Sequence, residues 1–152
     1  MNLNHVKHGI YGGLAGGAVF GVLMGMMGML SMIAGMLGSS SALVGFVVHM
    51  MISAGIGASF AVLFGRVAST LPNAVVSGLG YGLAWWVLGP LTLMPLMMGM
   101  GLGVNWTASA MTAAMPSLMG HLVYGGILGV VYVKLQRGAH AVGHRGQVLN
   151  RG

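Results

Sequence analysis

Apolar residues run through this chain in four long blocks, at about residues 9–37, 42–65, 74–99 and 116–135, with neither the alternation of a half-buried strand nor the polar face of a surface helix. A helix of roughly 20 apolar residues crosses the hydrocarbon core of a bilayer, so each block is long enough to span one. Backbone polar groups cannot face lipid unpaired, and the blocks are too long for barrel strands, so the pattern predicts four transmembrane helices. The breaks carry turn chemistry: Gly38-Ser39-Ser40-Ser41 after the first block, Arg66 and Ser69-Thr70-Leu71-Pro72-Asn73 after the second, and a weakly polar stretch at 101–114 after the third. Pro90 and Pro95 predict a kink in the third helix.

Composition agrees with a bilayer as solvent. With 57% hydrophobic and 4% charged residues, the chain has too little polar surface to be wrapped in water. We read residues 1–137 as one all-α transmembrane domain. The basic residues orient it: Lys7 precedes the first helix, Arg66 follows the second, and Lys134, Arg137, Arg145 and Arg151 close the fourth and the tail, whereas the loops after the first and third helices have none. Both termini are therefore expected in the cytoplasm. The first apolar block exceeds an ordinary signal-peptide core and no small-residue cleavage site follows it, so it reads as a retained helix. The basic, glycine-containing segment 138–152 reads as a disordered cytoplasmic tail lying against anionic headgroups.

The chain also echoes itself. Gly13-Leu14-Ala15 returns as Gly82-Leu83-Ala84, and Met26-Met27-Gly28-Met29 as Met97-Met98-Gly99-Met100. His49 is followed by Gly57, Phe60 and Leu63 at the spacings that lead from His121 to Gly129, Tyr132 and Leu135. These echoes predict two tandem duplicated helical hairpins, at about 9–66 and 78–137, related by a pseudo-twofold axis along the membrane normal. Gly9, Gly13, Gly17, Gly21 and Gly25 recur every four positions and form a groove on the first helix that invites close approach, within the chain or between copies. Trp85 and Trp86 are the expected occupants.

The chain has no aspartate, glutamate or cysteine. That removes paired-carboxylate catalysis, oxygen cages for calcium or magnesium, acidic proton relays, thiolate metal sites and disulfides. No G-x-S-x-G elbow is present, and a Ser-His-acid triad would lack its third member, so the chain reads as non-enzymatic. Histidine and methionine remain. His49 and His121 fall at equivalent places in the two repeats, in the outer half of the membrane. Met26, Met27, Met29, Met50, Met97, Met98 and Met100 cluster near that level. Thioether and imidazole together suit Cu(I), two facing imidazoles suit haem, and a methionine-rich zone also serves as a deformable core or contact surface. His5 and His8 at the start and His140 and His144 in the tail are weaker candidates, and Asn105-Trp106-Thr107 is a glycosylation sequon too close to the membrane to weigh. Six dispersed cations make no phosphate-tracking stripe, which argues against nucleic acid as a partner.

Two segments carry a resemblance. Gly80-Tyr81-Gly82-Leu83-Ala84-Trp85-Trp86-Val87-Leu88-Gly89-Pro90 with Leu93-Met94-Pro95, and Gly120-His121-Leu122-Val123-Tyr124-Gly125-Gly126-Ile127-Leu128-Gly129, are similar to segments of small four-helix integral membrane proteins of unknown function from bacteria and archaea. The likeness extends to Gly38-Ser39-Ser40-Ser41 and Val48-His49. It implies a multi-pass protein of the prokaryotic plasma (inner) membrane and implies no activity. Three functions stay open on the sequence: an accessory subunit acting on a homo-oligomer or membrane-protein partner, with a Met/His copper site near the outer face; a haem-binding subunit using His49 and His121; and an oligomeric pore for small solutes lined by the glycine groove.

Overall fold

The computed structural model of the protein describes residues 3–149, with side chains to residue 139. Helix α1 runs Leu3–Met26, α2 Leu30–Gly35, α3 Ala42–Phe64, α4 Leu71–Leu88, α5 Met94–Met97, α6 Ala108–Ala113 and α7 Met115–Leu149, with a π-helical turn at Gly89–Leu93 joining α4 to α5. Four helical stretches are long and apolar enough to cross a membrane: Leu3–Met26, Ala42–Phe64, Leu71–Met97 and Met115–Ala139. They run up and down in turn, as a four-helix, multi-pass bundle.

Local chemistry sets the ends. Ser41, Thr70 and Thr107 are extended residues whose hydroxyls accept from the backbone N–H groups of Val44, Asn73 and Ala110, capping α3, α4 and α6. The first span differs from the expected 9–37. It begins at Leu3 and stops at Met26, because Gly28 takes a left-handed φ of +68° and Met29 N–H closes onto Met24 C=O at 2.9 Å. The chain then turns back, and α2 lies against the start of α3, with Gly45 touching the Leu30 carbonyl. Gly99 ends the third span in the same way, at φ +75° with Met100 N–H on Pro95 C=O at 2.9 Å. The repeated Met-Met-Gly-Met is thus one local structure used twice.

The expected distortion at Pro90 and Pro95 takes a definite form. Each proline withdraws an N–H from the ladder, the backbone widens into the π turn, and Thr92 Oγ1 donates to Val87 C=O at 2.7 Å. The last helix continues past residue 135 into the segment expected to be disordered, with no proline to stop it. Residues 150–152 of that tail, and the side chains of His140, His144, Arg145 and Arg151, lie outside the described residues.

Packing is led by glycine. Gly9 and Gly13 touch Gly57 and Ser53 of α3 backbone to backbone, and Gly12 and Gly16 meet Leu128 and Tyr124 of α7. In the second hairpin Gly78 touches Gly125, Gly82 touches His121, and Gly129 touches Ala74. Lipid exerts no hydrophobic drive on helices already inside it, so such close approach supplies much of the cohesion through dispersion contacts. The α1 groove is therefore filled by α3, through backbone at Gly9 and Gly13 and through the Ser53 and Phe46 side chains at Gly17 and Gly21. Trp85 and Trp86 do not enter it: Trp85 stacks edge-on against Tyr81 with centroids 6.2 Å apart, and Trp86 Nε1 donates to Ala114 C=O at 3.2 Å. The fourth side of the bundle is built differently. Backbone contact between α3 and α4 is sparse, and Phe60, Phe64 and Tyr81 fill the gap with centroids 5.4 to 5.5 Å apart.

Candidate functional site

His49 and His121, from α3 and α7, meet around one residue, Phe20 of α1. The Phe20 ring lies 5.5 Å from the His49 ring and 4.8 Å from the His121 ring, edge-on to each. Gly120 makes room for it, since a Cβ there would strike the phenyl ring. Phe20 and His49 are 4% and 7% exposed and so buried inside the bundle, while His121 is half-buried.

Each imidazole is tied to backbone. His49 Nε2 lies 2.9 Å from Gly17 C=O, and His121 Nδ1 lies 2.7 Å from Ser117 C=O. A carbonyl only accepts, so the nitrogen facing it carries the proton. Ser53 Oγ and Ser117 Oγ stand 3.4 Å from those same nitrogens. Neither histidine can take its serine's proton there, so these pairs are not activated nucleophiles. The lone-pair nitrogen of His121, Nε2, is turned toward Gly89 of the π turn, 4.0 Å from where a Cβ would sit.

This geometry does not suit haem. Axial ligation needs the two imidazole nitrogens to face each other across a porphyrin, and here Phe20 packs edge-on against both rings while Nε2 of His49 is engaged with Gly17. Most of the methionines lie on the surface of the bundle, away from its buried core. Met26 is 81% exposed, Met27, Met97, Met98 and Met100 are exposed too, Met29 packs on the core, and Met50 is half-buried beside Gly17. Met26 and Met27 join Met119, with Leu23, Pro116 and Val123, around an open hollow of about 460 Å³ between α1 and α7. Among the described residues, no group of three histidines gathers to hold a metal.

Sequence reasoning missed the rest of this buried polar seam. Ser117, His121, Tyr124, Tyr132 and Gln136 recur at steps of three, four and eight along one face of α7. Tyr124 donates its hydroxyl to Ser53 C=O at 2.8 Å, tying α7 to α3. Tyr132 Oη lies 3.2 Å from His5 Nδ1, and Gln136 Nε2 lies 3.5 Å from the same atom, tying α7 to the start of α1. The i to i+4 spacing on α7 was the available signal. Phe20 gave none, because an apolar residue in an apolar helix does not announce what flanks it.

No known protein family, no curated protein and no solved structure matches the chain.

Proposed function

We propose that this protein is a non-enzymatic membrane subunit of the two-hairpin kind, built by duplication and oriented with both termini in the cytoplasm of a prokaryotic cell, that works by contact through its methionine-rich end. The observation that carries the reading is the gathering of exposed thioethers at one end of the bundle. The interior is closed by glycine backbone and by imidazoles tied to carbonyls, while the large flexible thioethers of Met26, Met97, Met98 and Met100 point outward. Methionine adapts to irregular partner surfaces, and a deformable rim of it suits a homo-oligomer or a membrane-protein partner. The glycine groove, already filled within one chain, is not free to line a pore.

Photo-reactive methionine incorporated into the full chain in its native membrane tests the reading. Crosslinks from residues 26, 97, 98 and 100 to one protein or to a second copy are expected; adducts to lipid alone would refute it. A second reading rests on the three thioethers around the hollow, which offer a soft cation a sulfur-rich surface site. Cu(I) titration of the purified protein separates the two. Binding lost in Met26→Leu with Met119→Leu, and kept when His49 and His121 are replaced, would place the metal at the hollow.

A further inference from the structure

The two Met-Met-Gly-Met turns put thioethers where water reaches them. At each turn the helix ladder stops, with Gly28 at φ +68° and Gly99 at φ +75°, and Gly101 at φ +93° and Gly103 at φ +80° extend the irregular path after the second. Gly28, Gly99 and Gly101 are exposed. Exposed irregular backbone cannot lie in hydrocarbon, because its open N–H and C=O groups need water, so both turns belong at the membrane surface. Met26 is 81% exposed there, and Met27, Met97, Met98 and Met100 are exposed too. Two other methionines supply the contrast. Met24 is 5% exposed and belongs to the core. Met51 is 70% exposed but adjoins Met50, whose Sδ lies 3.5 Å from where a Cβ on Gly17 would sit, at the level of mid-α1. About 13 Å of helix separates Gly17 from Met26, so the exposure of Met51 is to lipid.

The chain has no cysteine, so thioethers are its only sulfur nucleophiles. We propose that Met26, Met27, Met97, Met98 and Met100 are sites of reversible oxidation to methionine sulfoxide by a water-soluble two-electron oxidant of the hypochlorous acid class. A sulfur lone pair attacks the oxygen of hypochlorous acid; an S–O bond forms, the O–Cl bond breaks, chloride leaves with the bonding pair, and the hydroxyl proton passes to water. Sulfur loses two electrons and chlorine gains them. The sulfoxide is polar and chiral, so oxidation turns an apolar rim into a polar one, and methionine sulfoxide reductases restore it. These sites follow from exposure and depth, whatever the rim contacts.

Limited hypochlorous acid treatment of the full chain in dimyristoyl phosphatidylcholine nanodiscs, read by tandem mass spectrometry of peptic fragments, tests this. Met26, Met27, Met97, Met98 and Met100 should each gain an oxygen about tenfold faster than Met24 and Met51, with the helical circular dichroism unchanged. Methionine sulfoxide reductases of both epimer specificities, supplied with a reductant, should then remove the added oxygens. Met51 reacting as fast as Met26 would show that depth gives no protection and would overturn the proposal. So would turn methionines as slow as Met24, or sulfoxides that the reductases leave in place.

Discussion

Gly17 has two duties that no other residue type meets together. Its bare Cα lets α3 approach, and its carbonyl accepts a hydrogen bond from His49 Nε2–H. A Cβ there would lie 2.5 Å from Ser53 Oγ and 2.6 Å from Ser53 Cβ. Gly17→Leu should therefore wedge α1 from α3, lowering stability in detergent by about 1–3 kcal/mol or more, read as an earlier thermal unfolding transition. Gly55→Ala is the matched control: nothing lies within 4 Å of its Cβ position, and the melt should hold or rise slightly. At this scale, the histidine pair was legible because its spacing to Gly57 and Gly129 repeats. Its surroundings were not, since Phe20 and Ser117 acquire their meaning only when three helices converge.

The Met-Met-Gly-Met turns show what hydropathy cannot see at the scale of an element. Residues 9–37 are continuously apolar, so a hydropathy reading carries the helix through Gly28, yet the helix stops there by backbone conformation and not by polarity. The third span ends within two residues of its expected limit, and the second matches within one, because Ser41, Thr70 and Gly99 are recognisable stops. Gly28→Ala and Gly99→Ala each force a left-handed φ on a residue with a Cβ. Each should cost about 1 kcal/mol by chemical denaturation, with open space around both excluding a clash as the cause.

Across the whole molecule, α1 with α3 and α4 with α7 each pack through glycines, but the pairings a twofold would exchange are unlike. The α1 and α7 pair meets through Gly12 and Gly16, whereas α3 and α4 are bridged by aromatic rings. The absence of cysteine makes the orientation directly measurable. In sealed inside-in cells, single cysteines at Ser40 and Ser69, both exposed, should label oppositely with an impermeant maleimide: Ser40→Cys from outside, Ser69→Cys only after permeabilisation. Labelling of both from the same side would break the four-span topology.

The filled groove on α1 has a consequence for how the bundle is made. One side of that helix needs α3, which follows it closely, but Gly12 and Gly16 wait for Leu128 and Tyr124 on the last span to be synthesised, and His5 waits for Tyr132. Until α7 enters the bilayer, the first helix stands with the backbone at Gly12 and Gly16 uncovered and with His5 lacking its Tyr132 contact. Assembly therefore closes like a clasp, its first piece secured by its last, and the interval between them is when a chaperone or an insertase has an open surface to hold.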